Sequence, residues 1–136
     1  MTFAGPNYLA IVVAAVAAFF FGGIYYRLLA AHWMKAAGLS KKNIQNASHA
    51  PLLVAFVAEL IMAWMLAGVL GHLGPGQVTV KNGAVSGAFL WFGFVATTLV
   101  VNNAFGQRKL ALSAIDAVHW LAVLLIMGAI IGAFGV

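Results

Sequence analysis

The chain has no cysteine and only two acidic residues, Glu59 and Asp116, in 136 positions. Without a thiol there is no disulfide framework, no thiolate metal site and no cysteine nucleophile. Charged residues of both signs together make up 7% of the sequence, too few to clothe the exterior of a soluble globule. Hydrolytic signatures are missing as well. There is no G-x-S-x-G elbow, no H-E-x-x-H and no phosphate-cradling G-x-x-x-x-G-K-[ST], so nothing in the chain argues for an enzyme.

What remains is apolar. Hydrophobic residues account for 65% of the chain and the mean hydropathy is +1.06, which describes an integral membrane protein. A helix crossing the hydrocarbon core needs about 20 residues, so the length accommodates four crossings. The expected fold is an all-α integral membrane bundle of four transmembrane helices forming one membrane domain over 1–136. The spans are predicted at about 7–29, 51–73, 84–105 and 110–134. Ala14 to Ala18 superficially resembles a signal-peptide cleavage site. Nothing basic precedes it and the apolar stretch outruns a signal core, so it reads as the first span. Pro51 suits the opening of the second span. Gly74-Pro75-Gly76 forces a turn after it, and Gln77-Val78-Thr79-Val80 reads as a small hairpin or loop ahead of Asn82-Gly83.

The basic residues are unevenly distributed. Arg27, Lys35, Lys41 and Lys42 flank or fill the first connection, Arg108 and Lys109 the third, and only Lys81 the second. Lys and Arg accumulate in cytoplasmic loops, so both chain ends are expected outside the cytoplasm of a prokaryotic inner membrane. The net charge of +5 therefore reads as a topology marker, with no nucleic-acid partner implied. Asn46-Ala47-Ser48 fits a glycosylation acceptor that would stay unused on that face. In the first connection His32-Trp33-Met34-Lys35 has the pattern of an interfacial anchor, and Ser40 is placed to cap a short helix through Ala47. This piece is expected to lie along the inner membrane surface.

Small residues recur at helical spacing in Ala10, Ala14, Ala18 and Gly22, in Gly83 with Gly87, and in Gly128 with Gly132. Lipid tails are as apolar as leucine, so helix pairing in a membrane relies on the close backbone approach that such stripes permit. Such stripes also serve packing within one chain, but four spans bury little among themselves, so a homo-oligomer built on one stripe is expected in the lipid bilayer.

The segment NYLAIVVAAVAAFFFGGIYYRLLAAHWMKAAGL resembles the bacterial membrane family catalogued as domain of unknown function 1761. So does GAFLWFGFVATTLVVNNAFGQRKLALSAIDAVHWLAVLLIMGAIIGAFG. The resemblance rests on Asn7 at the start of the first span, Gly22-x-x-Tyr25-Tyr26 at its end with Trp33 beyond, the Asn103-x-Phe105-Gly106 exit of the third, and the glycine-rich fourth. It implies a four-span prokaryotic membrane protein and carries over no catalytic residue.

Chemistry therefore has to come from the polar residues inside the spans. An ionisable side chain in hydrocarbon costs a few kcal/mol or more and is by default a functional hypothesis. At a rise of about 1.5 Å per residue, Glu59 lies about 12 Å from Pro51, His119 about 10 Å from Leu112 and Asn102 about 9 Å from Arg108. These depths allow a cluster of Glu59, His119, Asp116 and Asn102 or Asn103. One reading is a proton-linked carrier of a small solute, with Glu59 exchanging the proton, His119 as relay and Asp116 as the cytoplasmic mouth. Another is structural, with Glu59 fastening helices through His119 or an Asn. A third is an accessory subunit of a larger membrane complex. Tyr25, Tyr26, Trp91 and Trp120 mark interfaces or line a cavity, with anchoring favoured near a membrane boundary. His32, His49, His72 and His119 fall at unmatched depths, so no haem, metal or other cofactor is expected, and Met62, Met65 and Met127 read as core filler.

Overall fold

A computed structural model of the chain describes residues 3–135, and all of the regular structure among them is helical. Four helices are long and apolar enough to cross a membrane: Tyr8–Leu28, Ala50–His72, Val80–Phe105 and Leu110–Phe134. They are called the first to fourth spans below. The first opens on Asn7, whose Oδ1 accepts a hydrogen bond from the amide of Ala10 at 3.0 Å, and the second has proline at its first turn.

Two short helices fill the first connection. Ala30–Ala37 ends on Gly38, which takes the left-handed conformation (φ 72°) that glycine adopts without penalty. Lys41–Gln45 is capped by Ser40, paired reciprocally with Asn43, and stops two residues short of the expected Ala47. The first of these helices does more than lie on a surface: Ala36 and Ala37 pack against Leu112 of the fourth span. The third connection is tied to the same helix, because Arg108 donates to the carbonyl of Ala37 at 3.2 Å. The first and third connections therefore share one end of the bundle, called the basic end here.

At the opposite end the amide of Ala4 donates to the carbonyl of Gly71 at 3.0 Å, and the Phe3 ring lies tilted against His72 with centroids 4.9 Å apart. The third span begins at Val80, earlier than its hydropathy predicts. Thr79 caps it by accepting from the amide of Asn82 at 3.1 Å, so Gln77 to Thr79 is loop and Asn82-Gly83 lies inside the helix. Near its middle the third span widens into a π-helical stretch, Trp91–Ala96, a local insertion of one residue into the helical ladder.

The fourth span is central, with 44% of its most apolar stretch buried against 6% for the third. The first and third spans pack on either side of it, and the second packs on the first. The core sits in the half away from the basic end, where Ala10, Ala14 and Ala18 meet Ala63, Leu66 and Leu70 of the second span and Val123, Met127 and Ile131 of the fourth. Glycines set the contact between the third and fourth spans. A Cβ on Gly83 would collide with the carbonyl of Gly128, one on Gly87 would lie 2.7 Å from the carbonyl oxygen of Leu124, and one on Gly132 would collide with the carbonyl of Thr79. Each step of four along one helix is matched by a step of four back along the other, the register of two antiparallel helices touching backbone to backbone.

Candidate functional site

Toward the basic end the bundle loosens. The second span turns Leu52, Leu53, Val54 and Val57 outward, and a cleft of about 420 Å³ opens between its first half and the neighbouring helices. Phe19, Gly22 and Tyr26 of the first span form one wall, and Ala55 and Glu59 of the second form another. His119 and Trp120 of the fourth span close the back. Gly23 and Leu52, both exposed, form the rim.

Glu59 is 2% exposed and His119 5% exposed, so two ionisable side chains are sunk into one largely apolar cleft. No charged or hydrogen-bonding side chain among the described residues reaches the Glu59 carboxyl. The imidazole of His119 is ringed by aromatics, with centroids at 4.6 Å for Trp120, 4.8 Å for Tyr26, 5.5 Å for Tyr25 and 6.1 Å for Phe21. Its Nδ1 is buried without a hydrogen-bond partner. Gly22 makes room for the other nitrogen, since a Cβ there would lie 2.8 Å from Nε2.

The backbone of the fourth span just before His119 is pinned from two sides. Tyr25 donates to the carbonyl of Ile115, Tyr26 to Oδ1 of Asp116 and the indole of Trp91 to the carbonyl of Ala117, each at 2.7 Å. Three consecutive residues of one helix thus accept from ring donors on two neighbours. Such buried polar bonds hold a helix in rotation and register more tightly than apolar packing alone. His119, half a turn further on, inherits that fixed position.

These contacts sort the residues singled out in the sequence. Glu59 and His119 share the cleft, as their common depth allowed. Asp116 is engaged by Tyr26, with the Trp33 indole alongside, and stands behind the cleft wall. Asn103 donates to Ser113 Oγ at 3.0 Å and Asn102 is exposed, so neither asparagine joins the pair. Of the four aromatic residues, Tyr26 and Trp120 line the cleft, the second of the two roles the sequence offered, and Tyr25 and Trp91 bond the fourth span. The small-residue stripe is spent inside the chain. Ala10, Ala14 and Ala18 are fully buried, Gly22 faces His119, and Gly128 and Gly132 face the third span. Among the described residues no group of three or more His, Asp or Glu side chains gathers as metal ligands would.

Fold and site together define a small four-helix membrane protein with a carboxyl and an imidazole facing one side cleft. The chain belongs to the family described as Protein of unknown function (DUF1761), whose profile matches residues 9–132. No curated protein and no solved structure gives a significant match.

Proposed function

We propose that the protein carries a small solute across a prokaryotic inner membrane in exchange for a proton, with Glu59 as the proton-exchanging group and His119 as its neighbour across the cleft. The observation that carries this reading is the contrast in partners. Asp116, Asn103, Tyr25, Tyr26 and Trp91 all spend their polar groups on other parts of the chain, whereas Glu59 and His119 Nδ1 do not. A polar group buried without a partner costs about 1–3 kcal/mol. A role confined to fastening helices would favour pairing these two groups, and a carrier leaves the carboxyl free for the solute.

The orientation in this reading follows the charge distribution. Six basic residues mark the first and third connections and one marks the second, which favours a cytoplasmic basic end and both termini outside. The cleft then opens toward the inner leaflet while the alanine-rich half seals the outer one, the arrangement of an inward-facing carrier.

The test is proton-linked flux in liposomes. Glu59→Gln should abolish solute-dependent proton movement while leaving assembly and helix content unchanged. Coupled flux equal to that of the native protein in the Gln variant would overturn the reading.

The third span favours a second reading, that of an accessory subunit or self-associating chain. From its middle toward the basic end it shows Phe89, Phe92, Phe94 and Phe105 at the surface, aromatic surface suited to contact with another helix. In that case Glu59→Gln would alter oligomer size or thermal stability instead of flux.

A further inference from the structure

We infer that the cleft is a site for a lipophilic monocation, a compact hydrocarbon body bearing one ammonium-type nitrogen. The inference rests on the carrier reading only in taking the cleft to be the solute site, and it narrows the chemistry of that solute. The first observation is the charge inventory of the walls. The cleft is lined by one carboxyl, Glu59, and by no lysine or arginine. An anionic guest would be taken out of water without a counter-charge and beside an acid, which in a low-dielectric site is prohibitive. A cationic guest meets the partner that Glu59 lacks within the chain.

The second observation is the placement of the rings. Phe19, Tyr26 and Trp120 line the same space, and the faces of aromatic rings attract a desolvated cation, with tryptophan the strongest of the three. The hydroxyl of Tyr26 is already committed to Asp116, so its ring remains as a wall and its hydroxyl does not compete for the guest. His119 lines the same space and carries no positive charge to repel the guest while its ring is neutral.

The third observation concerns size and access. A volume of about 420 Å³ falls in the range of small-molecule sites, about 300–1,000 Å³. The rim of Gly23 and Leu52 is apolar and exposed on the flank of the bundle, so a guest enters from the hydrocarbon and must first dissolve there. A strongly hydrated small cation does not meet that requirement, whereas an amine on a hydrocarbon cage does, because it crosses as the neutral base. Charge balances with what the site holds: the neutral amine takes the proton of the Glu59 carboxyl, and the ammonium so formed stays paired with the carboxylate. Release of the ammonium leaves a carboxylate that a new proton must neutralise before the next guest binds, which is the condition for exchange.

The experiment compares two isosteric probes, 1-adamantylamine and 1-adamantanol, by titration calorimetry against the whole protein in nanodiscs, with empty nanodiscs subtracted to remove partitioning into lipid. The native protein should bind the amine at least tenfold more tightly than the alcohol. Glu59→Gln should erase that preference by weakening the amine, with the alcohol unchanged and reporting that the cleft is intact. Trp120→Leu should weaken the amine severalfold while Glu59 is still present. Equal affinity for both probes in the native protein, or a preference that survives in Glu59→Gln, would overturn the inference. Uptake of the amine into liposomes under a pH gradient is read separately. Binding without uptake defeats the carrier reading and leaves the site assignment standing, whereas uptake without the charge preference defeats the assignment alone.

Discussion

Replacing Gly128 by alanine should destabilise the bundle by driving apart two helices that touch through their backbones. The added Cβ would sit 2.5 Å from the carbonyl carbon of Gly83 and 3.2 Å from the amide nitrogen of Ala84, where non-bonded heavy atoms settle at about 3.5–4.0 Å. Both neighbours are backbone, so no rotamer change relieves the clash and the helices must separate by roughly 1 Å. A gap of about 0.5–1 Å already forfeits a quarter to a half of each contact along the seam, and overpacking of this kind costs about 1–3 kcal/mol. Alanine recovers about 0.5–1 kcal/mol of helix propensity relative to glycine. The net expectation is a loss of roughly 1–2 kcal/mol, with Gly83→Ala similar because it strikes the same contact from the other side. The two together should cost less than their sum, since the first separation removes the second clash. Gly68→Ala is the internal control: nothing lies within 4 Å of a Cβ there, so only the propensity gain remains. The assay is reversible unfolding in mixed micelles of increasing dodecyl sulfate fraction, followed by circular dichroism. If Gly83→Ala and Gly128→Ala unfold at the same dodecyl sulfate fraction as Gly68→Ala, the backbone seam is not where this fold is held.

Tyr26→Phe should cost about 1–3 kcal/mol because it leaves the Asp116 carboxyl without its hydroxyl donor, and Tyr25→Phe about 0.5–1.5 kcal/mol because it removes one bond to a helix carbonyl; equal losses in the same unfolding assay would count against the difference. Gly22→Ala should displace the His119 ring, seen as a shift of its imidazole proton resonances, while Gly23→Ala, which meets nothing within 4 Å, should leave them in place; unshifted resonances in Gly22→Ala would contradict the packing. The absence of native cysteine makes topology directly measurable. Ser48→Cys should react with an impermeant maleimide only from the cytoplasmic side and Gln77→Cys only from the opposite side, and labelling of both from one side would refute the crossing pattern.

Hydropathy alone located the four spans, because bilayer thickness imposes a length that a sequence displays directly. Where it misjudged an end, a polar residue was acting as part of a helix. Asn82-Gly83 reads as a turn, yet the helix begins at Val80: Thr79 caps the amide of Asn82, and Gly83 is glycine because a backbone from the fourth span occupies the space of its side chain. The common depth of Glu59 and His119 was readable from residue rise. Which faces meet was not, since the rotation of each helix depends on packing against its neighbours. The tyrosines are the clearest omission. Tyr25 and Tyr26 near the end of an apolar run look like interface anchors, and nothing in the local sequence reveals that their hydroxyls reach Ile115 and Asp116. The recurrence of small residues was plain, but the same stripe serves a helix of its own chain or of a second one equally well.

The position of the cleft follows from a gradient in residue size along the bundle. Away from the basic end the helices meet through Ala10, Ala14, Ala63, Gly83 and Gly128, and side chains this small let backbones close up until no space remains. Toward the basic end the same helices carry Phe19, Phe21, Tyr26, Trp91 and Trp120, whose rings cannot interdigitate at that spacing, so the second span leans away and its first half turns outward. Glu59 and His119 sit at the transition, Glu59 one turn before Ala63 and His119 one turn before Val123, both of which are fully buried. There the tight half seals one side of the polar pair and the loose half opens the other. A carboxyl any further toward the tight end would be walled in by alanine without an adjoining cavity, and one nearer the basic end would meet water and lose the desolvation that would strengthen the hold on a cation proposed for it. The depth of the acid and the size gradient around it therefore act together, and shifting either one by a single helical turn would uncouple the charge from the cavity.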